Sequence, residues 1–115
     1  KICNIPIVKQ LQTTRPNQLI VNEYRPSQGI GAHIDAKIFA DPVITVSAGS
    51  TCIFEMTKDG QTIELLLNPR TCVVLSGDSR WNWKHCIPAR MTDHFQGQDY
   101  KRTRRISYTY RWVPK

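Results

Sequence analysis

Apolar and polar residues alternate along most of this chain in short stretches rather than at helical spacing. Leu19 to Tyr24, Val43 to Ser47, Cys52 to Met56, Ile63 to Leu67, Thr71 to Leu75, Trp81 to Ile87 and Ile106 to Trp112 are rich in β-branched and aromatic residues, the pattern of half-buried strands. Turn signals separate them, among them Arg25-Pro26-Ser27-Gln28-Gly29, Asp41-Pro42, Asn68-Pro69 and Gly77-Asp78, and no gap after Asn17 has room for an amphipathic helix. Asp59-Gly60 between two apolar stretches predicts a tight hairpin, because both residues accept the positive φ that such reversals need. The first seventeen residues, with Ile5, Ile7, Val8 and Leu11, fit a short helix or an extended lead-in. The pattern predicts an all-β core of seven or eight strands, as a sandwich or as a double-stranded β-helix of the jelly-roll type.

A chain of 115 residues has the size of one domain with one modest core. It opens at Lys1, and its motifs run almost to both ends, so an excised catalytic domain is expected, with the parts that choose a substrate lying elsewhere. Sixteen Lys and Arg against nine Asp and Glu give a net charge of +7, which favours polyanions such as nucleic acid through counterion release. A solvated basic surface explains the same excess. Lys101, Arg102, Arg104, Arg105, Arg111 and Lys115 concentrate it near the C-terminus. Cys3, Cys52, Cys72 and Cys86 have neither finger spacing nor a disulfide pattern, which suits intracellular thiols. No apolar run reaches the ~18 residues of a membrane span, so a soluble intracellular protein without a membrane partner is expected.

His33-Ile34-Asp35 places two metal-capable side chains at i and i+2, on one face of an extended segment. His85, in a later strand, is the candidate third ligand. Two histidines and one carboxylate on one side of an ion leave the other side open, the arrangement of non-haem Fe(II) oxygenases. Downstream, Arg105 and Arg111 share a strand face with Ser107 and Thr109. Arginine pairs with carboxylates through a fixed fork of donors, although a basic edge strand would show the same residues. Asn22 and Tyr24 share a face of an earlier strand.

The series Asn22-x-Tyr24, His33-x-Asp35, a strand-rich middle, His85, then Arg105 to Arg111 resembles the AlkB family of dioxygenases over about ninety residues. Asn22 to Ile30 and Gly77 to His85 also look like that family's approaches to its metal. The resemblance implies a double-stranded β-helix that binds Fe(II), 2-oxoglutarate and O2. By it, His33, Asp35 and His85 are the iron ligands, and Asn22, Tyr24 and Arg105 hold the distal carboxylate of 2-oxoglutarate. Arg111 would lie nearer the chelating end. Ser107 stands where the bacterial repair enzyme has asparagine, which is more similar to the branch containing the eukaryotic tRNA wobble-uridine hydroxylase.

The same resemblance implies a modified base in RNA or single-stranded DNA as substrate, since an unpaired nucleotide avoids the cost of extrusion from a duplex. Trp81 and Trp83 on one strand face, beside Arg80 and Lys84, would stack a base and hold its phosphate, while core filling is the alternative for either tryptophan. Lys37 replaces an aspartate by which the bacterial enzyme recognises cationic bases, and so argues for a neutral base. The resemblance also leads one to expect a nucleotide-recognition lid, which the N-terminal segment is too short to form, so either the lid was cut away or another domain grips the substrate. Cys86 is expected to serve packing. The same chemistry on a protein or lipid, or a non-enzymatic basic jelly roll, are the competing readings.

Overall fold

The computed structural model describes residues 16–114. The expectation for a short helix near Ile5 to Leu11 falls outside them. Among the described residues ten strands and one helical turn follow in chain order: β1 (Gln18–Tyr24), β2 (Ile30–His33), β3 (Val43–Gly49), β4 (Cys52–Lys58), β5 (Gln61–Leu67), β6 (Cys72–Leu75), α1 (Asp78–Trp81), β7 (Lys84–Ile87), β8 (Thr92–Phe95), β9 (Gln98–Lys101) and β10 (Arg105–Arg111). One sheet has the order β1-β10-β3-β6, the other β2-β7-β4-β5, and β8-β9 form a separate hairpin. The chain passes back and forth between the two large sheets, which is the jelly-roll winding expected from the alternation.

The period-2 pattern decides which residues meet between the sheets. Cys52, Phe54 and Met56 alternate inward on β4 and pack with Val43, Leu67, Leu75 and Ile87, while Val73 and Trp83 close the cluster. Each fully buried side chain of this size contributes about 1.5–3 kcal/mol. The Asp59-Gly60 hairpin forms as predicted: both residues have positive φ (50° and 77°), and β4 pairs with β5 from Cys52↔Leu67 to Lys58↔Gln61.

One predicted strand is corrected. The stretch Trp81 to Ile87 divides into the end of α1 and the four residues of β7. The Ser79 hydroxyl accepts the Ser76 N–H (3.0 Å) and donates to the Ser76 carbonyl (2.8 Å), and the Gly77 carbonyl accepts from Arg80 and Trp81. These local bonds wind the chain into a turn despite its aromatic content. Three strands carry no apolar alternation and escaped the sequence: β2 and the polar hairpin β8-β9, whose turn residues Gln96 and Gly97 again have positive φ (48° and 78°).

The β8-β9 hairpin is tied down by charge. Asp93 is 0% exposed; it accepts two bonds from Arg102 (2.7 and 2.9 Å) and one from Arg90 (2.7 Å). Arg102 also donates to the Gln28 carbonyl (3.1 Å), joining the hairpin to the β1-β2 turn. Burial raises the Asp93 pKa, but the bonds and charges of Arg102 and Arg90 outweigh it and hold the group below its ordinary value of 3.8. This contribution to stability is therefore complete above that value and is lost as pH falls below it. Asp93→Asn leaves two guanidinium groups without a counter-charge, one of them buried; chemical denaturation should show a loss of about 3–5 kcal/mol and a weaker acid dependence than the parent.

Gly29 stands where β2 approaches β7. A Cβ there would lie 2.0 Å from the Ile87 carbonyl oxygen and 2.8 Å from the Ala89 nitrogen, both backbone atoms that cannot rotate away. Gly29→Ala should therefore part the two strands, with a stability loss of about 1–3 kcal/mol in denaturation and loosened amide protection along β2.

Candidate metal centre and co-substrate cleft

The close approach of β2 and β7 puts two histidines side by side. His33 and His85 are register partners, their ring centroids 4.3 Å apart, and His85 stacks on Phe54 at 5.3 Å with only 15° between planes. Asp35 lies two residues beyond the end of β2, in a loop rather than on the extended strand that the i, i+2 reading assumed. Its Oδ1 is nevertheless 3.3 Å from His33 Nε2 and 3.5 Å from His85 Nε2. The three ligand atoms all lie within 4.8 Å of one another and could hold a metal ion. Bonds of roughly 2.1 Å at right angles would need donors about 3 Å apart, so the trio is close to that spacing.

The orientation of His33 and the charge of Asp35 also suit a cation. His33 Nδ1 lies 2.8 Å from the Gly31 carbonyl; a carbonyl only accepts, so Nδ1 carries a proton and the ring turns its Nε2 toward Asp35. Burial pushes the Asp35 pKa up, yet the hydrogen bond to His85 and the charge of Arg111, with those of the histidines, outweigh it and hold the group at about 2. Asp35 is thus anionic at neutral pH. Its second oxygen is 3.3 Å from Arg111 Nη2.

The other sheet supplies the facing wall. Register sets Asn22 opposite Ser107 and Tyr24 opposite Arg105, and Ser107 opposite Ser47 and Thr109 opposite Thr45. Arg105 is 4% exposed; its Nε donates to Ser47 Oγ (2.9 Å) and its guanidinium lies 5.2 Å from the Tyr24 ring centroid. The Arg111 guanidinium lies 4.4 Å from the Phe39 ring centroid. Asn22, Tyr24, His33, Asp35, His85, Arg105, Ser107 and Arg111 all line one cleft, whose empty space including its open mouth is about 550 Å³.

Arg105 Nη1, Arg111 Nε and His85 Nδ1 are buried and have no hydrogen-bond partner within the protein. Unmatched buried guanidinium donors are costly, and a small dianion between the two arginines would satisfy them. The donors present thus fit both a divalent cation and a dicarboxylate.

Of the five residues expected to touch substrate, the structure redirects three. Arg80 is 1% exposed and donates to three backbone carbonyls, of Asp35, Ala36 and Phe39, so it cannot reach a phosphate. Trp81 and Trp83 do not share a strand face, because the α1 turn separates them. Trp83 packs on the core and its indole N–H donates to Asp78 (2.8 Å), while Trp81 is 40% exposed. Lys84 is exposed on β7 but alternates with His85, which places it on the outer face. Lys37 is exposed in the loop just after Asp35.

Sequence reasoning overlooked Phe54 and Thr45. Phe54 packs the His85 ring and Thr45 shares a hydrogen bond with Thr109 (3.1 Å), but neither bears a chemical signature apart from its strand position.

Comparison with known proteins agrees with this geometry. The family model of the 2OG-Fe(II) oxygenase superfamily matches residues 3–111. An uncharacterized protein, L905, of Acanthamoeba polyphaga mimivirus is 35% identical over 119 residues, covering 100% of this chain and 57% of its own length. The tRNA (carboxymethyluridine(34)-5-O)-methyltransferase ALKBH8 of Mus musculus is 33% identical over 117 residues, 86% of this chain and 18% of that protein. The chain thus spans only part of each relative. Among solved structures, that of OsALKBH1 superposes with a TM-score of 0.64 at 21% identity, over 84% of this chain and 49% of that one, and a Drosophila melanogaster CENP-C cupin domain with 0.58 at 12% identity, over 83% and 60%; at these identities both speak for the fold alone. Membership of the superfamily implies Fe(II), 2-oxoglutarate and O2. By its family match, its ALKBH8 relatives and its jelly-roll fold, this chain belongs to the AlkB family of 2OG-Fe(II) oxygenases.

Proposed function

We propose that this chain is the catalytic core of a dioxygenase that oxidises a modified base in RNA or single-stranded DNA. The observation that carries the reading is the convergence, in one cleft, of the His33-Asp35-His85 trio with the two arginines whose buried donors lack partners. His33, Asp35 and His85 would hold the iron. Asn22, Tyr24, Arg105 and Ser107 would hold the distal carboxylate of 2-oxoglutarate, and Arg111, beside Asp35, its chelating end.

When bound, iron, 2-oxoglutarate and O2 together supply the chemistry: the oxo acid is decarboxylated to succinate and CO2, and a substrate C–H gains hydroxyl. The residues of the chain provide binding, orientation and a dry site. Asp35 brings one negative charge to the cation, and the proton on His33 Nδ1 keeps its Nε2 free to bind. Arg105, braced by Ser47 and faced by Tyr24, fixes one end of the dianion away from water, where a charge-assisted bond is strongest. An N-methyl target would leave as formaldehyde after hydroxylation, whereas a carbon side chain would keep a stable alcohol.

Names of the relatives support the substrate class, since they refer to tRNA carboxymethyluridine, alkylated DNA repair and RNA/DNA demethylation. Within it, Lys37 favours a neutral base, because a fixed positive charge beside Asp35 would repel a cationic one. Trp81 offers an exposed ring near the same loop for stacking. Such a substrate lies inside the cell, and the rest of a longer protein would refine its choice.

Anaerobically loaded protein given 2-oxoglutarate, O2 and either total tRNA or methylated single-stranded oligonucleotides should release succinate, and the nucleoside that gains oxygen or loses methyl names the substrate. His85→Ala and Asp35→Asn should abolish both iron retention and succinate; equal turnover in these variants would sink the reading. Arg105→Ala should raise the KM for 2-oxoglutarate about 10- to 100-fold, the worth of a charge-assisted hydrogen bond. Lys37→Asp should shift preference toward cationic methylated bases, read as the ratio of kcat/KM on cationic and neutral oligonucleotides.

A further inference from the structure

We infer that Arg80 is a positioning residue of the metal centre, which clamps the Asp35 loop and so sets where the Asp35 carboxylate stands. The inference rests on the reading that His33, Asp35 and His85 hold the metal. It concerns a residue that the sequence suggested for phosphate binding, and that the structure buries.

The three ligands are not held alike. His33 and His85 sit on paired strands, where ladder bonds fix their backbones. Asp35 has no ladder: residues 34 to 39 form no strand. Arg80 reaches into that segment with the two terminal nitrogens of its guanidinium, while its Nε is buried without a hydrogen-bond partner. Nη1 donates to the Asp35 carbonyl (3.1 Å), and Nη2 to the carbonyls of Ala36 (2.9 Å) and Phe39 (2.7 Å). Three acceptors in five consecutive residues, starting at the ligand itself, define a loop shape rather than a single contact.

The cost of the arrangement argues for a purpose. Arg80 is 1% exposed, and among the described residues no carboxylate pairs with it. A buried cation bonded only to carbonyls, with its Nε left unpaired, is expensive compared with a hydrophobic side chain, and a loop needing only stability could be anchored more cheaply. Carbonyls that converge on one planar donor fork are fixed in direction as well as distance. Trp81, the next residue, lies with its ring 4.1 Å from the Arg80 guanidinium carbon and screens it from water. Arg80 thereby gives Asp35 what the ladder gives the histidines.

The test compares the parent chain with Arg80→Ala, Arg80→Lys and Asp35→Asn, titrated anaerobically with Co(II), whose visible spectrum reports ligand geometry. Folding is checked by near-UV circular dichroism. Arg80→Ala should stay folded, bind Co(II) about 10- to 100-fold more weakly, the usual effect of losing a support outside the ligand set, and show an altered spectrum. Added guanidinium should restore part of the affinity, and Arg80→Lys should fall between. Folded Arg80→Ala with the parent affinity and spectrum would overturn the inference, as would collapse of both Arg80 variants, which would make the residue a general prop of the fold. A parent chain that binds no Co(II), or Asp35→Asn that binds it equally well, would instead remove the metal centre and with it any such role for Arg80.

Discussion

Holding the Asp35 carboxylate out of water, and still charged, is the constraint around which the cleft is arranged. Burial of a carboxylate with 7% exposure by itself raises its pKa. Two imidazoles and Arg111 reverse that tendency, and they come from different parts of the chain: β2, β7 and the end of β10. The β2-β7 contact at Gly29, the packing of Phe54 under His85 and the antiparallel docking of β10 bring those partners to Asp35.

The two sheets divide the chemistry. The sheet built from β2, β7, β4 and β5 carries the histidines, and the sheet built from β1, β10, β3 and β6 carries the arginines and their hydroxyl and amide neighbours. Register links the two roles to stability, because a one-residue slip of β10 would turn Arg105, Ser107, Thr109 and Arg111 outward together. The same alternation that seats the apolar core thus also aims the binding groups.

Arginine serves several purposes in this small domain, and the net charge conceals them. Arg80, Arg102 and Arg105 are buried, and Arg111 lines the cleft. Much of the positive charge near the C-terminus is therefore spent on Asp93, Ser47 and Asp35 rather than on a surface field. A positive balance read from composition overstates what a polyanion would meet, because composition cannot separate a solvated cation from one matched inside the fold.

Sequence alone determined the all-β class and the Asp59-Gly60 hairpin, because strand alternation and turn chemistry leave marks in residue type and spacing; it named His33, Asp35, His85, Arg105 and Arg111 as candidates, and the structure brings them to one cleft. Asn22, Tyr24 and Ser107 became candidates only through the resemblance of their order to that of a known family, and they line the same cleft. Tertiary structure decided the rest. The polar strands β8 and β9 form because Asp93 is matched by Arg102 across the hairpin, a pairing without hydrophobic period. Trp81 and Trp83 part company because local serine and glycine bonds wind α1 in place of a strand. Arg80 turns inward because its acceptors are backbone carbonyls forty-odd residues earlier in the chain, and carbonyls are common to every residue and leave no trace in a sequence.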